Sequence, residues 1–282
     1  MTRQVAVRRA GPALWTRRWW RVYKAGPALP FLLIAVLLPI AAHAQAPPAG
    51  RGAQAPAAPA PPPTPRAAAP VDLTGYWVSI ITEHWRWRMV TAPRGDYASI
   101  PLTAEAKKVA DAWDAAADEK AGEQCKAYGA PGLMRIPTRL HITWQDDTTL
   151  KVDADAGTQT RLFHFGEWKP SGGEPTRQGD TVASWETPRA GRGQPPPKAG
   201  NLKTVTTRLR PGYLRKNGVP YSDKATLTEY WDLLRRPNGE EWIVITTIVE
   251  DPLYIRDKWI TSLNFKKEPN GSKWDPSSCT TK

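Results

Sequence analysis

The chain has 282 residues, with 39 Lys and Arg against 27 Asp and Glu for a formal net charge of +12, 14 tryptophans and two cysteines. That length allows one domain with extensions or two small domains, and so many tryptophans exclude a wholly disordered chain. Two cysteines exclude a disulfide scaffold and a four-cysteine zinc site, while the charge keeps nucleic acid and anionic membranes among the partners until its location is known.

Residues 1–44 carry seven basic residues and no acid, then the apolar run from Phe31 to Ala41, then Ala42-His43-Ala44. A basic start, a short apolar stretch and an A-x-A site are the three parts of a secretory signal peptide, so cleavage after Ala44 is predicted. The alternative is an uncleaved anchor, but a spanning helix needs about 20 apolar residues, and this run is shorter and holds Pro39. Thr16-Arg17-Arg18-Trp19-Trp20 faintly resembles a twin-arginine export signal. No cysteine precedes Cys125, which excludes a lipid-modified N-terminal cysteine. Residues 45–70 contain nine prolines and ten alanines and read as an extended, disordered linker. Setting aside the nine basic residues of these two segments leaves 30 against 27 acids from Val71 onward. The nucleic-acid reading loses most of its support there, and a periplasmic or secreted location is predicted.

Residues 71–282 read as one all-β domain. Short segments rich in β-branched and aromatic residues, separated by Gly, Pro, Asn and Asp, predict strands at about 73–82, 84–91, 139–145, 149–155, 158–165, 181–187, 202–210, 225–235, 241–250 and 259–267. One helix is predicted over 103–118, with Thr103 as its N-cap. Turns are expected at Asp146-Asp147, Asp155-Ala156-Gly157 and Pro237-Asn238-Gly239. Eight to ten antiparallel strands with short connections must cover their edges, which favours a closed up-and-down barrel. The longer stretches 166–180 and 188–200 are either a lid at the barrel mouth or disordered insertions.

Gly75-Tyr76-Trp77 on the first strand resembles the G-x-W element of lipocalin-type barrels, and that resemblance implies a cup holding a small ligand. The chain departs from that family in its length and in placing its helix after the second strand. Cys125, Gly132-Leu133-Met134-Arg135-Ile136-Pro137, Ala183-Ser184-Trp185-Glu186, Thr228-Glu229-Tyr230 and Glu250-Asp251-Pro252-Leu253-Tyr254 occur in the order seen in a group of uncharacterised exported bacterial proteins. This second resemblance spans most of residues 71–282 and implies an exported β-rich fold.

Export also bears on Cys125 and Cys279, because thiol pairs outside the cytoplasm tend to oxidise. A bridge between them would staple the helical segment to the tail; free or reactive thiols are the alternative. Strand periodicity puts Leu227, Glu229, Trp231 and Leu233 on one face. A carboxylate among such neighbours is either desolvated, as a general acid or base requires, or paired with a cation. In His84-Trp85-Arg86-Trp87-Arg88-Met89 the same period puts His84, Arg86 and Arg88 on one face and Trp85, Trp87 and Met89 on the other. Either the cations point into the cup and hold an anion, or the tryptophans make an apolar wall and the arginines are solvated. Glu186 and Glu250-Asp251 end their strands, where they could line a mouth or simply cap loops. His84, His141 and His164 lie on separate strands with no ligand spacing, so no metal or other cofactor is expected.

Three functions follow as candidates. The first is an exported lipocalin-like barrel binding a small apolar or amphipathic molecule, with His84, Trp85, Trp87, Trp231 and Glu186 at its site. The second is a cofactor-free isomerase, lyase or hydrolase with Glu229 as base and Arg86 or Arg88 as electrostatic partner. The third is a structural, envelope-associated protein, which requires a barrel packed solid with side chains.

Overall fold

The computed structural model describes residues 61–281, apart from 171, 190 and 193–198. The predicted export signal therefore lies outside the described residues. Eleven strands follow in order: β1 (Gly75–Ile80), β2 (Arg139–Trp144), β3 (Thr149–Ala154), β4 (Gln159–Phe165), β5 (Asp180–Glu186), β6 (Asn201–Thr207), β7 (Gly212–Tyr213), β8 (Pro220–Tyr221), β9 (Thr226–Arg235), β10 (Glu241–Glu250) and β11 (Trp259–Glu268). All but β7 and β8, which form a separate small hairpin, close into one nine-stranded barrel.

Every barrel strand pairs with its neighbours in chain order, as expected for a meander, but β4 and β5 run parallel. The odd strand number requires this, because directions that alternate around a closed ring cannot match at the seam. The segment 166–179 is therefore the return path that carries the chain from the end of β4 back to the start of β5. It is fastened on the way, with Thr176 bridged to Leu209 and Gln178 Nε2 donating to the Tyr128 carbonyl. The three expected turns join β2 to β3, β3 to β4 and β9 to β10, and Gly239 takes the left-handed φ of 83° in the last of them.

Inward-facing side chains fill the barrel. Trp77, Leu140, Phe163, Trp231, Ile245 and Phe265 are completely buried in one cluster, with Phe163 and Trp231 edge to face at 5.4 Å. Trp77, the tryptophan of the G-x-W element, donates its indole N–H to the Leu73 carbonyl at 2.9 Å, pinning the entry of β1 to the core.

One end of the barrel carries a cap. The β1–β2 connection supplies α1 (Trp85–Arg88), α2 (Ala104–Asp111), α3 (Ala115–Lys120), a 3₁₀ turn (Gln124–Tyr128) and α4 (Ala130–Leu133). The predicted single helix is thus two. Thr103 caps the first through a bond to Ala106 N, and Asp114 caps the second by accepting from Ala116 and Ala117 N. The predicted strand at 84–91 is absent. His84 takes a left-handed conformation (φ 49°) and the next four residues coil into α1, so the period-two sorting of their side chains does not apply. The cap has its own apolar core around Leu102, Leu209, Leu214, Val219 and Tyr221, joined to the barrel by Leu227, Val249 and Trp259.

After β11 the tail returns along the barrel's outer wall. Trp274 packs against Tyr76 and His141, Ser277 N donates to the Asp155 carbonyl, and Cys279 is disulfide-bonded to Cys125 of the cap. No helix of the described residues is long and apolar enough to cross a membrane.

Candidate functional site

Among the described residues two arginine-containing sites are buried, one inside the barrel and one in the cap. Inside, Arg161 on β4 spans β5 and β6 to reach Glu229 on β9. Its Nη1 donates to Oε1 at 3.0 Å and its Nη2 to Oε2 at 2.6 Å, with Thr204 Oγ1 donating to Oε2 at 3.0 Å. Both side chains are wholly buried. Threonines at 181, 204 and 206 leave room for the long guanidinium stem and add hydroxyl partners. Glu229 has both oxygens engaged and is wholly buried among core side chains, so it is held as the counter-ion of Arg161. The alternation that turns Glu229 inward also turns Arg161, Phe163 and Phe165 inward, a signal present in the sequence.

The cap holds a cavity of about 590 Å³ beside the end of the barrel. Arg88, Arg135, Arg215 and Lys216 line it, and no acid does. Arg88, Arg135 and Arg215 are all buried. Arg88 sits at the end of α1 and is satisfied, donating Nε to the Arg135 carbonyl at 3.0 Å and pairing through Nη1 with Glu83. Arg135 follows α4, which approaches its neighbours so closely that a Cβ on Gly132 would lie 2.5 Å from the Ala127 carbonyl. Arg215 lies between β7 and β8, in a turn where Gly218 takes φ 81° and a Cβ would strike Trp113.

Cations and indoles alternate through the cap. Arg86 and Arg215 lie 5.1 and 4.8 Å from the Trp87 ring, and Arg215 and Arg135 lie 6.0 and 4.7 Å from the Trp259 ring. Such contacts contribute about 0.5–2 kcal/mol each and hold the guanidinium planes in place. They do not use up the donors. Arg135 Nη1, Arg215 Nε and Arg215 Nη1 are buried with no hydrogen-bond partner, although Arg135 Nη2 meets His84 Nδ1 at 3.1 Å and Arg215 Nη2 donates to Ala98 O and Ser99 Oγ. Burial together with repulsion from Arg88 and Arg215 brings Arg135 down to about 9, and burial brings Arg215 down to about 10. His84 is also lowered, first by burial and then by Arg135 and Arg215, which leaves it neutral at pH 7. A site of this composition can hold an anion by charge-assisted hydrogen bonds.

No protein-family model, curated protein or solved structure matches this chain. Its chemistry must therefore be read from its own side chains.

Of the residues singled out in the sequence, Trp87 and Arg88 line the cap cavity, and His84 lies beside them against Arg135 and Trp87 without lining it. Arg86 is exposed on the other side of α1 and paired with Asp96, and Trp85 is exposed. Trp231 is a core residue. Glu186 lies at the opposite end of the barrel, exposed, 3.7 Å from Lys203. Asp251 is a buried loop organiser, accepting from Ser222 N, Ser222 Oγ and Leu253 N. His141 stacks on Tyr76 and His164 on Trp168. Among the described residues no three His, Cys, Asp or Glu side chains come together to hold a metal. Arg135, Arg215 and Trp259 carry no local sequence signal of a site, since they meet only through the cap's tertiary packing.

Proposed function

We propose that the protein is an exported binding protein that takes a small organic anion in the cap cavity, outside the barrel. The observation carrying this reading is the set of three unpartnered guanidinium nitrogens in a wall of four cations and no acid. Glu83 and Asp96 offset part of the charge of Arg135 and Arg215 but leave these donors unmet, and a buried cation with unmet donors is costly, a cost that a bound anion offsets. The volume falls in the range of small-molecule sites. The disulfide supports an oxidising compartment, in keeping with the basic and apolar N-terminal segment.

The reading is tested by thermal shift against a panel of carboxylates, sulfates and phosphates. A ligand that binds the native state raises Tm with its concentration, and Arg135→Met or Arg215→Met abolishes the rise. A flat response across the panel, with no adduct in native mass spectra of protein purified from its own envelope fraction, rules the reading out. The filled barrel favours a second reading, a structural envelope protein, and that double negative is what it expects.

A further inference from the structure

Exposure varies sharply around the cap cavity. Arg135 and Arg215 are almost fully buried and belong to its floor, whereas Met89 and Val90 line the same cavity while 57% and 67% exposed, which places them at its mouth. Trp85, 66% exposed, lies four residues before Met89, so the two share a face of the α1 turn. Seven large hydrophobic side chains are exposed among the described residues, and three of them fall in this six-residue segment. Scattered singles of this kind need no explanation, but a contiguous ridge at the lip of a cationic cavity does. Nothing in the α1 turn itself forces the ridge outward, since the turn that buries Arg88 could equally have carried serine or lysine at 85, 89 and 90.

We infer that the anion is a single-chain amphiphile, its charged head against Arg135 and Arg215 and its apolar chain leaving the cavity over Met89, Val90 and Trp85. This rests on the anion-binding reading above and gives the ligand its second half. The cavity wall suits such a molecule, since Ala92, Ile136 and Pro137 line it together with the cations, Met89 and Val90. Covering the ridge removes apolar surface from water, so each methylene of the ligand that reaches it adds to affinity. The charged head could be a carboxylate, a sulfate or a phosphate, since all three accept from guanidinium groups.

Calorimetric titration with inorganic sulfate, then butanoate, octanoate and dodecanoate, and octyl and dodecyl sulfate below micelle formation, tests this. Affinity is expected to rise about two- to fourfold per methylene over the length that the ridge covers, with dodecanol at least tenfold weaker than dodecanoate. The triple variant Trp85→Ser/Met89→Ser/Val90→Ser is expected to flatten the chain-length series, whereas Leu253→Ser, an exposed apolar position that does not line the cavity, is expected to keep the wild-type Tm, sulfate response and chain-length series. Short anions that bind with no gain from chain length overturn the inference and leave anion binding standing. Failure of every anion, short or long, overturns both. Co-sedimentation with phosphatidylglycerol vesicles, coupled with no binding of monomeric amphiphiles, overturns it in favour of membrane docking by the same ridge.

Discussion

Arg161 in the barrel and Arg215 in the cap are buried to nearly the same extent, yet their surroundings are opposite. Arg161 meets a carboxylate with two parallel hydrogen bonds and threonine hydroxyls beside it, leaving only Nε unpartnered. Arg215 faces indole rings, the Ala98 carbonyl and the Ser99 hydroxyl, with Asp96 as a nearby opposite charge that makes no direct ion pair with it, and two of its nitrogens have no hydrogen-bond partner. A buried ion pair closes its own electrostatics and has nothing left to offer a ligand, whereas a buried cation among aromatics retains its demand for an anion. The most deeply buried ion pair among the described residues is therefore the least promising place for chemistry.

Substituting the two arginines in the same way separates the cases most strongly. Arg161→Met orphans Glu229 in the barrel and is expected to cost about 3–5 kcal/mol in denaturant titrations, with most of the loss recovered by adding Glu229→Leu. A single variant that unfolds at the wild-type midpoint would show that the pair is not what holds the barrel interior. Removing the disulfide comes next. It closes a separation of 154 residues, and Cys125→Ser/Cys279→Ser is expected to lose about 2–5 kcal/mol. Because Thr281 lines the cap cavity, anion binding should weaken too, while the barrel pair is untouched. A variant with unchanged anion affinity would detach the tail from the site.

Arg215→Met should change the stability of the unliganded protein by only about 1 kcal/mol, as loss of two hydrogen bonds is offset by relief of an unpaired charge. Its effect belongs to binding, so a loss as large as that of Arg161→Met would make the cap arginines structural. The smallest effect is the pH response of His84. Its folded pKa lies below the unfolded value of 6.5, so on acidification the unfolded chain takes up the proton first. Stability should therefore fall as pH drops from about 6.5 toward the folded pKa, and His84→Gln should remove that part of the slope. An identical slope in the variant would assign it to the carboxylates.

Much of the barrel was legible because strand patterning is local. Alternation of inward and outward residues, and turns such as Pro237-Asn238-Gly239, sit within a few residues of each other and survive any change of neighbours. The segment 84–91 misled for the same reason. Its alternation of cations and tryptophans fits a strand, but one left-handed residue at His84 turns it into a helix that packs against α4 and the β7–β8 connection. Trp87 and Arg88 line the cap cavity all the same, with His84 against Arg135, through a helical turn and not through strand alternation.

Composition and pattern alone determined the all-β class, the Cys125–Cys279 bridge as the favoured pairing, and the concentration of excess charge in the first 70 residues. Each depends on counts or on near neighbours. Tertiary structure alone decided that Glu229 meets Arg161, 68 residues away, that nine strands need one parallel seam, and that the open volume lies beside the barrel instead of within it. Those outcomes depend on which distant side chains share a low-dielectric space. The same arginine is a finished ion pair or an unmet charge according to what the fold puts opposite it.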